Sequence, residues 1–149
     1  DLIPKRDDIK SWDVGNGLPE DLPEIDLAFL DPPYWKQAEG KYSELDTDLS
    51  NGTLERFYKI MDGLIRSLME KNVSKIAIVI APTQWPNENH SFEDHTFHFA
   101  GVLWKKYQTQ SRYCLPYSTQ QYNGNQVLIA KDEKLCLNLI RDLVVWSIR

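Results

Sequence analysis

The hydrophobic positions in the first half of the chain form two short continuous runs and one longer helical stripe. The runs EIDLAFL (24–30) and KIAIVIAP (75–82) contain few polar positions, which predicts strands covered on both faces. Between them, apolar residues recur at helical spacing from Leu54 to Leu68, and Thr53 is suited to cap the helix start. The pattern predicts a strand, a helix and a second strand, which is the unit that builds parallel sheets.

The second half predicts two more helices and two more strands. Ser91 and Asp94 resemble a capping box, followed by one helical face of Phe92, Thr96, Phe99 and Leu103. YQTQSRYCL (107–115) and NQVLIA (125–130) are then typical of strands. A third helix is predicted from Asp132 onward, with apolar positions at Leu139, Ile140 and Leu143. Because no helix separates the last two strands, we expect them to pair antiparallel.

These elements predict a single α/β domain spanning residues 1–149. The expected sheet is mainly parallel, with an antiparallel closing strand pair and helices on both faces. Residues 1–20 are predicted to form an irregular arm, since they are polar and rich in Asp, Pro and Gly. In such sheets ligands gather beyond the carboxyl ends of the strands, so the residues after 30 and after 80 are the places to look for chemistry.

Composition narrows the class of protein. The chain of 149 residues is 42% hydrophobic and 26% charged, as in ordinary globular domains. Its net charge of −5 argues against a protein that coats DNA, although nucleic acid stays possible as a transient substrate. No apolar stretch approaches the length of a membrane span, no signal peptide is recognised, and the two cysteines lack metal-like spacing. We therefore predict a cytoplasmic protein without a membrane partner.

The stretch IDLAFLDPPYW (25–35) carries the most distinctive chemistry. Two prolines fix the chain just past the strand and remove two amide donors, which leaves carbonyls free to accept. Asp31 adds a second acceptor, and Tyr34 or Trp35 offers an aromatic plate. Two acceptors beside a ring suit an exocyclic amine on a planar heterocycle, such as a flipped adenine or cytosine. In the simpler alternative, Asp31 caps a turn, the prolines end a strand and the rings fill a cleft.

The DPPY tetrad at 31–34, preceded by IDLAFL, resembles the catalytic motif of S-adenosylmethionine-dependent amino-methyltransferases, which modify adenine N6 or cytosine N4 in DNA. The resemblance implies a partial Rossmann-like methyltransferase sheet. It also implies that Asp31 and the Pro32 carbonyl accept hydrogen bonds from the target amine, with Pro33 shaping the turn. Tyr34 would then stack on the flipped base, and an acidic first residue favours adenine N6.

The family's glycine-rich cofactor turn, of the type Phe-x-Gly-x-Gly, is not found in this sequence. Gly15 and Gly17 are the one close pair, but they follow no clear strand and open no helix. The resemblance makes Asp1 the acid that would bind the cofactor ribose, and Asp13 the acid near its adenine ring. We therefore expect a fragment that is inactive alone, with the missing cofactor motif upstream or, in a permuted enzyme, downstream.

Other residues are further candidates for the same site. Trp35 and Trp85 are predicted to contact the substrate, and the resemblance places the loop carrying Tyr117 and Tyr122 over the base. His95 and His98 lie three apart on a predicted helix, within reach of one metal ion, but partly exposed imidazoles on an amphipathic helix are the favoured interpretation. No metal site is therefore predicted.

Two alternatives to a DNA methyltransferase stay open. The first is a non-enzymatic α/β module that binds a protein or nucleic-acid partner. The second is an amino-methyltransferase that acts on RNA or protein, since the same tetrad geometry serves any planar amine. If the inner half of the sheet is missing, the first strand is an exposed edge, and we expect self-association through it.

Overall fold

A computed structural model of the chain describes residues 6–35, 48–84, 92–116, 124–134 and 140–149. A 3₁₀ turn at Val14–Asn16 lies in the N-terminal arm. The strands are β1 (Leu27–Leu30), β2 (Lys75–Ile80), β3 (Thr83–Gln84), β4 (Phe92–Glu93), β5 (Tyr107–Pro116) and β6 (Ile140–Ile148). The helices are α1 (Leu54–Glu70), α2 (His95–Leu103) and α3 (Gly124–Asp132).

The main sheet has four strands in the order β1-β2-β6-β5, and β3 pairs with β4 in a separate small sheet. β1 and β2 are parallel, whereas β6 is antiparallel to both of its neighbours, β2 and β5. The predicted α/β class is confirmed. An antiparallel pair does lie at the far end of the sheet, but it joins β5 to β6 and not to residues 125–130, which were predicted to form its second strand and are helical. The prediction of a mainly parallel sheet is wrong, because β6 lies between β2 and β5 and makes the described sheet mixed.

The helix predicted between the first two strands is confirmed as α1. The Thr53 side chain accepts a hydrogen bond from the Arg56 amide at 3.2 Å, which satisfies one of the free donors at the helix start. The helix buries one face, made by Phe57, Met61, Leu64, Ile65 and Leu68. This amphipathic face explains why the helix could be recognised from spacing alone.

The last two predicted elements are exchanged in the structure. NQVLIA, predicted as a strand, belongs to α3, whose residues Val127, Leu128 and Ile129 are exposed while Ala130 is buried. The predicted third helix is wrong, because its positions Ile140 and Leu143 lie on β6. That strand alternates between more and less buried positions along its length, as a period of two requires.

The start of α2 also differs from the prediction. Asp94, not Ser91, is the N-cap, and its side chain accepts from the Phe97 amide at 3.0 Å. Phe92 lies on β4 and therefore does not belong to the helical face. Ser91 itself lies outside the described residues.

Helices α1 and α2 pack against each other and share one core with the sheet. α1 and α2 cover the same face of the sheet, and the expectation of a helix on the other face stays a prediction. On β1, Ala28 faces this core, whereas Leu27 and Phe29 point away from it and are exposed. Within the described ranges, no helix is both long and apolar enough to cross a membrane.

Candidate functional site at the carboxyl edge of the sheet

The carboxyl ends of β1 and β2 meet at one edge of the sheet because these strands are parallel. β6 runs in the opposite direction and begins at this edge, where Asp142 pairs with Ile80. The edge therefore brings together the turn Asp31–Trp35, hereafter the strand-end turn, with Thr83 after β2 and Arg141 near the start of β6. An edge of this kind is where open α/β sheets hold their ligands.

Asp31 is exposed and directly follows the last residue of β1. Its Oδ1 lies 3.5 Å from the Tyr34 hydroxyl, which is a long hydrogen bond. Pro32 and Pro33 are partly buried and have no N–H to offer. The turn thus presents a carboxylate and proline carbonyls as acceptors without competing amide donors.

Tyr34 is half-buried beside Asp31 and in contact with Arg141. Burial raises the pKa of the Tyr34 phenol, a hydrogen bond with Arg141 opposes that rise, and the Asp31 charge adds to it. The phenol is therefore neutral at physiological pH. Its hydroxyl is held between an acid and a guanidinium, which fixes the ring next to Asp31.

Trp35 lies in the core and is 6% exposed. Its indole N–H donates to the Gly52 carbonyl at 2.8 Å, just before the N-cap of α1. The ring thus ties the strand-end turn to the start of that helix. Its predicted contact with substrate stays a prediction, but little of its surface is open to one.

A second pair of charges lies beside the turn at the same edge. Asp142 is buried on β6, and its Oδ2 accepts from Nη2 of Arg112 on β5 at 2.7 Å. This bond raises the pKa of Arg112 and compensates the buried carboxylate. Sequence reasoning missed both Arg141 and this pair because residues 139–143 were predicted to be helical.

Behind the turn lies a fully buried histidine, His95, at the start of α2. Its Nδ1 lies 2.9 Å from the Tyr58 hydroxyl, and its Nε2 lies 3.0 Å from Thr83 Oγ1. Thr83 Oγ1 in turn lies 3.5 Å from the Trp35 carbonyl oxygen. The interpretation of His95 as a partly exposed imidazole is therefore wrong, because the residue is fully buried and both ring nitrogens have polar partners, one on α1 and one on β3.

His98 does not join His95 in a metal site. Its Nε2 lies 2.9 Å from Asp62 on α1, and its ring stacks on Tyr58 with centroids 3.7 Å apart. Across the described ranges, no group of three or more His, Cys, Asp or Glu side chains is placed to hold a metal ion.

Asp13 lies in the N-terminal arm, against α1. Its Oδ1 accepts from the Gly15 amide at 2.8 Å and so caps the 3₁₀ turn. The turn ends at Gly17, whose φ of 82° suits glycine. Asp13 also lines a groove of about 660 Å³ between this turn and α1, together with Arg56, Lys59 and Ile60.

Four of the predicted site residues lie outside the described part of the chain. They are Asp1, Trp85, Tyr117 and Tyr122. Their predicted roles in binding the cofactor or the base therefore stay predictions. Comparison of the chain with protein-family models, with curated proteins and with solved structures finds no match to any of them.

Proposed function

We propose that the chain is the catalytic-motif part of an S-adenosylmethionine-dependent DNA amino-methyltransferase, which methylates the exocyclic amine of a flipped base. The observation that carries this proposal is the exposed Asp31 carboxylate at the carboxyl end of β1, followed by two prolines that cannot donate. The proposal requires that the four strands of the α/β sheet form part of a Rossmann-like methyltransferase sheet. An antiparallel pair, β5 with β6, lies at the end of the sheet where the resemblance implies one, although its second strand is not the segment 125–130 that was expected there.

The strand-end turn suits an amine because an amine brings two N–H donors. Asp31 accepts one hydrogen and the Pro32 carbonyl accepts the other, which orients the nitrogen lone pair away from the turn. S-adenosylmethionine supplies an electrophilic methyl group carried on a sulfonium. The charge of Asp31 also favours the partial positive charge that develops on the amine in the transition state.

Tyr34 is better placed than Trp35 to stack on the base. It is half-buried and lies beside Asp31, whereas the indole of Trp35 is packed in the core and bonded to Gly52. Stacking of one base on an aromatic ring contributes roughly 1–3 kcal/mol. In this proposal Tyr34 contacts the base and Trp35 holds the turn that carries it.

The described residues do not make a complete site for the methyl donor. Of the two acids that the resemblance assigns to the cofactor, the described part contains Asp13, and one of its oxygens already caps the 3₁₀ turn. The groove beside Asp13 is lined by two acids, Asp13 and Glu55, and by two cations, Arg56 and Lys59, so its charges do not favour a sulfonium. We therefore assign the cofactor no complete site within the described residues.

Adenine N6 is favoured over cytosine N4 because the tetrad begins with an acid, as the resemblance implies. An RNA or protein amine stays an alternative acceptor, since the turn offers the same two acceptors to any planar amine. A non-enzymatic binding module is the alternative of a different class. In a binding module, Asp31 would be an exposed residue at the end of a strand, without a catalytic role.

Transfer of labelled methyl groups by the intact gene product tests the proposal. Purified protein is incubated with S-adenosylmethionine labelled on its methyl group and with unmodified DNA, RNA or protein, and the DNA is then digested to nucleosides. We expect label in DNA, as N6-methyladenine. Label in RNA or protein alone would support the alternative acceptors, and no transfer to any of the three would contradict an enzymatic function.

A further inference from the structure

A continuous series of hydrogen bonds connects helix α1 to the main chain of the strand-end turn. It runs from the Tyr58 hydroxyl to His95 Nδ1 (2.9 Å), and from His95 Nε2 to Thr83 Oγ1 (3.0 Å). It ends at a long hydrogen bond of 3.5 Å, which the Thr83 hydroxyl donates to the Trp35 carbonyl. The four groups come from α1, α2, β3 and the turn itself, so the series crosses the whole layer behind the site.

The direction of every bond follows from the last one. A carbonyl oxygen can accept but cannot donate, so the single hydrogen of the Thr83 hydroxyl belongs to the Trp35 carbonyl. Thr83 Oγ1 must then accept from His95, whose Nε2 carries the proton. A neutral imidazole has one N–H, so its Nδ1 accepts from the Tyr58 hydroxyl. One neutral tautomer of His95 satisfies the whole series.

Burial makes this arrangement costly to change. His95 is 0% exposed and Thr83 is 1% exposed, so water cannot replace a lost partner at either group. Burial, with a smaller contribution from the charge of His98, lowers the pKa of His95 to about 4, against the opposing charge of Asp94. The other titratable groups near the series are Tyr58 and Asp62 on α1 and Glu93 on β4. His95 is therefore neutral at physiological pH, as the bond directions require.

The last acceptor of the series is the Trp35 carbonyl, so the series holds the main chain of the strand-end turn. Pro32 and Pro33 have no N–H with which the strand-end turn could bond to the rest of the fold. Arg141 contacts the turn at Tyr34, and two further bonds hold it at Trp35: the indole N–H donates to the Gly52 carbonyl, and Thr83 donates to the Trp35 carbonyl. Trp35 adjoins Tyr34, so a shift of its main chain moves the proposed base-stacking ring.

We propose that Thr83 and His95 are positioning residues, which fix the main chain at Trp35 and thereby hold Asp31 and Tyr34 in the geometry that the target amine requires. This inference rests on the proposed function for its catalytic consequence, but its structural content can be tested without methyl transfer. Neither residue touches the substrate in this account. A displacement of about 1 Å in such a site can reduce a rate by roughly 100-fold.

The first test measures the turn directly in the 149-residue chain. Hydrogen exchange at the Trp35 indole N–H is followed by NMR in the native chain and in Thr83→Val, which keeps the shape of threonine and removes its hydroxyl. We expect exchange at Trp35 to rise at least tenfold in Thr83→Val, while Thr83→Ser restores protection. Unchanged exchange at Trp35 in Thr83→Val would overturn the proposal, and so would an Nδ1–H tautomer of His95 in ¹⁵N spectra.

The second test measures catalysis by the intact gene product. We expect Thr83→Val to lower kcat for methyl transfer tenfold to 100-fold with less than a threefold change in KM for DNA, and Thr83→Ser to recover most of the rate. Thr109→Val, at an exposed threonine on β5, is the matched control and should leave kcat unchanged. A folded Thr83→Val enzyme with kcat within twofold of the native value would overturn the positioning role. If no form transfers methyl groups, the proposed function fails, and the exchange measurement still decides whether Thr83 holds the turn.

Discussion

The residues of the strand-end turn differ in how exposed they are, and therefore in whether a ligand can reach them. Asp31 is exposed and free to accept from a ligand, Tyr34 is half-buried beside it, and Trp35 is buried behind both. The exposed Asp31 carboxylate can accept from a ligand that arrives from solvent. The buried ring of Trp35 instead fixes the main chain.

At Tyr34, the ring matters more than the hydroxyl. Tyr34→Ala removes the stacking surface, which is worth roughly 1–3 kcal/mol, so we expect kcat/KM for DNA to fall roughly 5- to 150-fold. Tyr34→Phe keeps the ring but loses the contacts of its hydroxyl with Arg141 and Asp31, so its kcat/KM should fall clearly less than that of Tyr34→Ala. Steady-state methyl transfer by the intact gene product measures both. Equal losses in the two variants would argue against stacking.

His95 should make the stability of the chain depend on pH. Its pKa lies near 4 when folded and near 6.5 when unfolded, so folding favours the neutral imidazole. This contribution is present above pH 6.5 and is lost as pH falls toward 4. We expect it to lower the free energy of unfolding by about 2 kcal/mol between pH 7 and pH 5.

Urea unfolding of the native chain and of His95→Gln at both pH values measures this effect. Carboxylates contribute equally to the two proteins, so the difference between them isolates His95. The native chain should lose more stability on acidification than the variant does. The same loss in both proteins would show that His95 is not held neutral in the fold.

At the scale of elements, α1 connects the site to the core. Its buried face packs into the core, and its first turn is joined to the strand-end turn by the bond from Trp35 to Gly52. The start of the helix depends on the Thr53 cap, which accepts from the Arg56 amide. The buried face of the helix therefore stabilises the fold, and the residues at its start hold the strand-end turn.

Removing the Thr53 cap should weaken the whole domain. Thr53→Ala leaves the Arg56 amide without its partner, and we expect the free energy of unfolding to drop by about 1 kcal/mol in urea. Thr53→Ser keeps a hydroxyl at the same place and should lose much less. If the alanine and serine variants are equally stable, the cap seen in the structure contributes nothing.

The sequence predicted correctly the elements whose hydrophobic pattern fits either a helix or a strand, but not both. α1 shows a clear helical stripe, and β1 and β2 are apolar runs that end at prolines. β6 was mistaken for a helix because its buried position 142 is an aspartate, which interrupts the alternation that identifies a strand. In α3, a short apolar run with three exposed side chains looks like a strand when spacing is the sole guide.

The candidate site was predictable to a similar extent. The DPPY tetrad identified the strand-end turn because its chemistry is local in the chain. Arg141, Thr83 and the buried role of His95 were not predictable, because each acts through residues far away in sequence. The bond between His95 and Tyr58, for instance, joins positions 37 residues apart.

At the scale of the whole molecule, the described sheet has one exposed edge next to the site. β1 is the outermost strand, and Leu27 and Phe29 on its outward face are 53% and 58% exposed. An edge strand with exposed apolar side chains is prone to pair with another chain. The expectation of self-association through this edge therefore stays a prediction with a structural basis at β1.

A single charge at this edge should oppose self-association. In sedimentation velocity we expect the native chain to form dimers or larger species, and Phe29→Lys to shift it to monomer. Phe97→Lys is the matched control, since Phe97 is 80% exposed on α2 rather than on β1. A native chain that sediments as one monodisperse monomer would contradict the prediction.

The central claim is that the Asp31 carboxylate accepts a hydrogen bond from the target amine, and single-turnover methyl transfer by the intact gene product tests it most directly. Asp31→Ala is compared with Asp26→Ala, an exposed acid just before the opposite end of β1. We expect Asp31→Ala to slow methyl transfer to DNA by roughly 100-fold or more, as the loss of one transition-state hydrogen bond does, and Asp26→Ala to leave the rate unchanged. Equal rates for the native protein and Asp31→Ala would contradict the account.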